Sequence, residues 1–233
     1  MTDRYALPLY LQISEMLIRE INAGRLADGE RLPPERDYAA KLGISVGTLR
    51  KALADLTEKG LLARVQGSGN YIRARADVQA VYAFFRVELL EGGGLPTAEV
   101  LDVARVPKPD DLPAFGTDRE AWRIRRLRRL NRVPAILEEV FLDASYAAKM
   151  TRADLSESLY LFYRDKLGLM IGRVEDRMTV APVPDWAPAS YGLTAGTPTL
   201  LATRISFSRE GARAEVSRGW IDTTVATYVA RLK

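Results

Sequence analysis

Residues 29–72, GERLPPERDYAAKLGISVGTLRKALADLTEKGLLARVQGSGNYI, decide how this chain is read. Two amphipathic segments, PPERDYAAKLG and ISVGTLRKALADLTEKG, meet at Gly43, and a short glycine-tipped hairpin follows. Leu49, Leu53 and Leu56, with Ala52 beside them, recur at helical spacing. They predict a helix from Val46 to Lys59 that buries this stripe and stops at Gly60. Ser45 stands just before it, where a hydroxyl accepts from the orphan amides of the first turn. Gly47, Thr48, Arg50 and Lys51 are left on or near the opposite face, toward the helix N-terminus.

The flanks complete a unit. Pro33-Pro34 open the preceding helix, with Glu35 and Asp37 favourable near its positive end. Upstream, residues 8–23 predict a helix with Tyr10, Ile13, Leu17 and Ile21 on one face and Gly24 at its end. Downstream, Leu61–Val65 and Asn70–Ile72 predict two short strands around Gln66-Gly67-Ser68-Gly69, whose glycines let the main chain come close to a partner. In a helix-turn-helix the second helix meets base edges and phosphates with its N-terminal residues.

Composition bounds the rest. At 233 residues two domains are expected. There is no Cys and no His, which excludes thiol nucleophiles, structural zinc sites and every triad that needs imidazole. The sequence calls for no cofactor and no metal. No apolar run of about 18 residues exists to span a membrane, and MTDRYALPLY lacks the basic-then-apolar order of a signal peptide, so the cytoplasm is expected. Net charge is +4, and residues 1–75 carry twelve basic against nine acidic side chains, a small excess that suits an anionic partner. Taken singly, Arg36, Arg50 and Lys51 read as solvated charges; the combined spacing of cap, arginine, glycine and hairpin points to DNA.

Residues 74–80 read as a polar linker between a DNA-binding domain over 1–73 and a second domain over 81–233. In the second domain, segments rich in β-formers alternate with turn residues: TAEVLDVARV, AWRIRRLRRL, PAILEEVFL, GRVEDRMTVAPV, TLLATRISFS and ARAEVSRGWID. ADLSESLYLFYRDKLG reads as one helix, with Leu155, Leu159, Phe162, Tyr163 and Leu167 on its apolar face, and DWAPASYGL as a shorter one. The expected class is α+β: an antiparallel sheet with helices on one side.

In AWRIRRLRRL, Arg126 and Arg128 share a face with Trp122, Ile124 and Leu130. Two guanidinium groups on an apolar face need partners. Either internal salt bridges or a bidentate grip on carboxylate or phosphate would supply them. A two-residue loop at Asn131-Arg132 would set Arg125 opposite Glu138, and a three-residue loop through Val133 would set Arg126 there. Glu215 alternates with Arg213 and Ser217, and by pattern alone looks like part of a solvated face.

PLYLQI, GERLPPERDYA, ISVGTLRKAL, LTEKGLL and QGSGNYI together resemble the winged helix-turn-helix of the GntR family of bacterial transcription regulators. The resemblance implies DNA contacts from Arg36, from the turn and helix residues Ser45, Val46, Gly47, Thr48, Arg50 and Lys51, and from the wing at Gly67. Val46 stands where that family often carries Arg. RRLRRL…PAILEE, DLSESLY and GARAEVS resemble the UTRA effector-binding domain of the HutC-type members, which implies a chorismate-lyase-like fold. From amino-sugar-phosphate-responsive members it implies a pocket of Arg126, Arg128, Glu138, Ser158, Tyr160 and Glu215. The loop at the start of this domain offers Phe84, Phe85 and Arg86, without the family's serine pattern. The expectation is a homodimeric, ligand-responsive regulator, a repressor, reading a near-palindromic double-stranded operator and answering to a small anionic or polar effector. A DNA binder with an empty pocket and a lyase-like enzyme are the alternatives.

Overall fold

The computed structural model describes residues 8–73 and 84–231. The linker expected at 74–80 lies outside the described residues. The chain divides into two compact units, one running to Phe85 and the other from Arg86 to Val229.

In the first unit three helices, α1 (Leu9–Asn22), α2 (Glu35–Lys41) and α3 (Val46–Glu58), precede a hairpin of β1 (Leu62–Val65) and β2 (Gly69–Ile72). Their apolar stripes converge: Leu17, Ile18, Leu49, Leu56, Leu61 and Ile72 are fully buried together. Polar ties hold α1 to α3. Ser14 donates to Asp55, and Lys59 Nζ reaches both Asp55 (2.7 Å) and Glu15 (3.3 Å). The segment before α2 is sewn onto the hairpin by backbone bonds such as Leu32 N to Asn70 O and Ile72 N to Glu30 O.

The second unit is a six-stranded antiparallel sheet in the order β4-β5-β6-β9-β8-β7. Its strands are β4 (Pro96–Pro107), β5 (Glu120–Leu130), β6 (Val133–Asp143), β7 (Ile171–Pro182), β8 (Pro198–Ser208) and β9 (Arg213–Ile221). These are the six segments rich in β-formers. A separate two-stranded sheet pairs β3 (Val87–Leu89) with β10 (Ala226–Tyr228), both too short to show a period.

Two helix expectations need correction. Residues 153–168 are not one helix. A 3-10 turn (Arg152–Asp154) is followed by an extended stretch. A four-residue helix α4 (Leu159–Phe162) then runs into a π-turn (Tyr163–Leu167). Hydroxyls divert the backbone: Ser156 Oγ donates to the Ser158 carbonyl, and Ser158 caps α4 by accepting from Leu161 N. DWAPASYGL forms only a 3-10 turn at Ala189–Tyr191, because Pro184 and Pro188 leave no room for a longer helix. The helical layer on one side is therefore short. Trp122, Ile124, Val140 and Leu142 pack on one sheet face against Leu159, Phe162 and Tyr163. On the other face Leu127, Leu137 and Trp220 pack against Val183, Trp186 and Tyr191 from an irregular segment.

Candidate functional site

On the first unit the candidate DNA-reading residues gather at the start of α3 and on the hairpin. Ser45 caps the helix, accepting from Thr48 N at 3.1 Å, and its hydroxyl lies 2.8 Å from Thr48 Oγ1. Gly47, Arg50 and Lys51 are exposed, as is Arg36 on α2. Val46 is half-buried against the core, so at the position where the resembling family often carries Arg this chain spends its side chain on packing. Arg50 Nε donates to Glu35 Oε2 at 2.6 Å, yet its side chain stays 64% exposed. The hydrogen bond and charge of Arg50 hold the Glu35 carboxyl below its ordinary range, with smaller contributions from Arg64 and Asn70. At the hairpin tip Gly67 has φ +73°, and among the described residues nothing lies within 4 Å of where a Cβ would sit. The main chain there is open to close approach. A cleft of about 740 Å³ is lined jointly by the hairpin and the Arg31–Glu35 segment, with Arg31, Glu35, Arg64 and Gly67 in its walls.

On the second unit the register settles the pairing of Arg126. The turn is the two-residue one, with Asn131 (φ 47°) and Arg132 (φ 70°) both left-handed. One step later the ladder slips between Arg128 and Arg129, leaving Ala135 as the extra residue. The slip brings Arg126 opposite Glu138, combining the shorter loop with the pairing expected of the longer one. Glu138 then grips two arginines: Arg126 Nη2 donates to Oε2 at 2.5 Å and Arg128 Nε to Oε1 at 2.9 Å. Both guanidinium groups are buried. Burial alone would raise the Glu138 pKa, but the two cations overcome it and depress it to about 2. Arg126 also reaches the Glu157 carbonyl, while its Nε has no hydrogen-bond partner among the described residues.

Glu215 is not on a solvated face; it is 2% exposed. Tyr163 Oη donates to it at 2.6 Å and Ser206 Oγ at 2.9 Å, and Tyr160 Oη lies 2.8 Å from Ser206 Oγ. Burial outweighs these bonds and pushes the Glu215 carboxyl above its ordinary value. Behind it Arg204 forms a bidentate pair with Asp176 (2.6 and 2.7 Å), and Tyr228 Oη donates to the same carboxylate at 2.6 Å. Arg86 adds positive charge near Asp176.

These groups share one sheet face. The rows run Arg126–Glu138–Gly219–Ala202 and Ser217–Arg204–Asp176. Between the two charged groups the floor is Ala202, Ser217 and Gly219, small and half-exposed although they lie on the two strands between β6 and the edge strand β7. A Cβ built on Gly219 would meet nothing closer than Ile136 at 3.5 Å. The face therefore carries a stretch of small, half-exposed residues between two arginine–carboxylate groups, with hydroxyls of Tyr160, Tyr163 and Ser206 near Glu215. Such convergence of polar groups around small residues suits a small polar ligand.

The structure thus brings Arg126, Arg128, Glu138, Tyr160 and Glu215 onto this face, with Ser158 buried at the cap of α4 beside Tyr160. Phe85 is placed elsewhere: it falls with the first unit, its ring 4.8 Å from the Arg19 guanidinium. Sequence reasoning missed Arg204, Ser206, Asp176 and Tyr163. The first two share parity on TLLATRISFS, which was the available signal; Tyr163 was read as core.

Comparison with known proteins agrees with this division. Residues 9–72 match the bacterial regulatory proteins of the gntR family, and residues 91–225 match the UTRA domain. The HTH-type transcriptional regulator SmoD of Agrobacterium fabrum is 61% identical over 98% of this chain and 97% of its own length. The HTH-type transcriptional repressor NagR of Bacillus subtilis is 27% identical over 88% and 86%. The mannosyl-D-glycerate transport/metabolism system repressor MngR of Escherichia coli is 30% identical over 73% of each chain. Among solved structures, YydK of Bacillus subtilis superposes with a TM-score of 0.54 at 22% identity, covering 97% of this chain and 100% of that one, which shows a shared fold.

Proposed function

Because the chain belongs to the GntR family of bacterial regulators and joins a DNA-binding head to a UTRA domain, we propose that this ligand-responsive DNA-binding transcription regulator is a cytoplasmic, homodimeric repressor of the HutC type. Two heads would read the halves of a near-palindromic operator, since twofold protein symmetry calls for twofold DNA. Arg50 would meet a guanine edge, contributing about 1–3 kcal/mol of discrimination. Ser45, Val46, Gly47, Thr48, Arg36, Lys51 and the backbone around Gly67 would line the contact, mostly against phosphates. Relatives named as repressors support the direction of control.

The effector is a small sugar-like or acid metabolite with an anionic end. One observation carries this: the half-exposed floor of Ala202, Ser217 and Gly219 between Arg126–Glu138 and Arg204–Asp176. Arg126, with a buried Nε unmatched among the described residues, and Arg128 would hold the anion. Glu215, its carboxyl pushed above the ordinary range by burial, and Tyr160 would take hydroxyls, while the ionised Glu138 favours a hydroxyl or amine. Ser158 and Arg86 stand at the margins.

Thermal denaturation against a panel of phosphorylated sugars and small acids tests it. A ligand at about a hundred times its Kd adds about 2.7 kcal/mol of stability. The expected hit disappears in Arg126→Ala and weakens in Tyr160→Phe. A hit unchanged in both would move the pocket elsewhere on the molecule.

A further inference from the structure

The geometry points to Glu35 as a positioning residue for the base-reading arginine, and we infer that it helps set which DNA sequence is bound. The inference rests on the reading of α3 as the DNA-contacting helix. Arg50 presents five N–H donors in a rigid plane. One of them, Nε, is engaged by Glu35 Oε2 at 2.6 Å. That bond restrains the guanidinium and uses Nε alone, on a side chain that stays 64% exposed, so the two terminal nitrogens are left for a partner. Two parallel donors are what the O6 and N7 acceptors of guanine require.

Glu35 itself is well anchored. It is the first residue of α2, directly behind Pro33-Pro34, whose rings fix the backbone torsion at both positions. Its side chain is only 19% exposed. Arg64 on β1 and Asn70 on β2 also act on its carboxyl group, so the support for Arg50 is tied to the hairpin. The same carboxylate repels phosphate. A nearby anion makes every non-specific approach less favourable, whereas the correct base offers Arg50 two hydrogen bonds in return. Glu35 would therefore raise specificity from both directions: a fixed fork for the right base and a repulsive charge for bare backbone. An arginine without this support is a mobile point of charge that any phosphate satisfies.

Full-length wild type, Glu35→Ala, Glu35→Gln, Arg50→Ala and the double variant Glu35→Ala/Arg50→Ala test this. Wild type is first used to select binding sites from a randomised duplex pool. Affinities for the selected duplex and for a random duplex of equal length are then measured by fluorescence anisotropy. The expected result is a drop of about tenfold in the specific-to-random ratio for Glu35→Ala, with random-duplex binding undiminished. Glu35→Gln, which still accepts from Nε without the charge, falls between. In the Arg50→Ala background, removing Glu35 lowers the ratio by clearly less than it does in wild type, because only the repulsive charge is left to lose. A ratio within about twofold of wild type in both Glu35 variants overturns the inference, because discrimination by one base contact exceeds that. So does a loss in the Arg50→Ala background as large as that in wild type, which would mean that Glu35 does not act through Arg50. Melting curves show whether each variant is folded; if Glu35→Ala is not, the Glu35→Gln ratio decides. A wild-type pool without any enriched motif overturns the DNA reading itself, and the inference with it.

Discussion

Arg50 and Arg126 are the same residue type put to opposite use. Arg50 stands 64% exposed on one ion pair, through Nε to Glu35. Arg126 is 3% exposed and leans on Glu138, which it shares with Arg128. An exposed cation carries little folding energy, so the face that holds it is free to serve a large anionic partner. A buried pair is costly to desolvate and more costly to break. The first unit thus keeps its stability in an apolar core and its candidate DNA-reading groups on the surface. In the second unit the candidate pocket and the polar interior are the same atoms. Mutations should separate accordingly: binding without folding in one region, both together in the other.

The largest expected effect breaks the buried group. Glu138→Ala leaves two buried guanidinium groups with their shared anion removed, and should cost about 3–5 kcal/mol in urea denaturation. A loss below about 1 kcal/mol would place this pair in the class of surface ion pairs and erase the contrast. The pH dependence has a definite sign. A carboxyl whose folded pKa is depressed stabilises fully above the unfolded value. Wild type should therefore lose the Glu138 contribution as pH falls from the ordinary carboxylate range toward about 2. Glu138→Gln should flatten that part of the acid limb.

Arg50→Ala sharpens the other side. Operator affinity should fall by about 1–3 kcal/mol, with random DNA losing less and stability moving within about 0.5 kcal/mol. Equal losses on both DNAs would reduce Arg50 to a phosphate contact. Ser45→Ala is intermediate in kind, since the hydroxyl caps α3 and also faces outward. It should cost about 1 kcal/mol of stability, read by thermal melting. The smallest effect is expected at Glu215. Its folded pKa is raised, so the group favours folding at low pH and that advantage is lost as pH rises through the folded value. Glu215→Gln keeps the shape and cannot ionise, so it should be at least as stable as wild type at neutral pH. A clear destabilisation there would mean that the carboxylate form is held by the arginines.

How much of this was legible in the sequence follows the range of the interactions involved. Ser45 as a cap, the Leu49–Leu56 stripe and the glycines of the hairpin depend on neighbours within a few residues, and they read directly. The alternation that puts Arg126 and Arg128 on one face was equally plain. Their partner was not fixed, because Asn131-Arg132 contains no glycine to announce a left-handed turn, and the slip at Ala135 has no signature of its own. Glu215 looked solvated because its partners, Tyr163 and Ser206, come from a π-turn and from a neighbouring strand. Arg204 and Asp176 become partners only through the pairing of β7 with β8. The helix over 153–168 failed for a local reason: the apolar spacing was right, but Ser156 and Ser158 bind the backbone that a continuous helix would need.

The most direct test of the whole account joins the two regions. Anisotropy titrations of a selected operator duplex are run with and without a ligand that stabilises the protein through Arg126. If the pocket governs the head, operator affinity changes by a factor of about 5 to 150, and operator DNA changes ligand affinity by the same factor. Superimposable isotherms with the pocket occupied would contradict the account, leaving a DNA-binding head and a ligand-binding domain that share a chain without sharing a function.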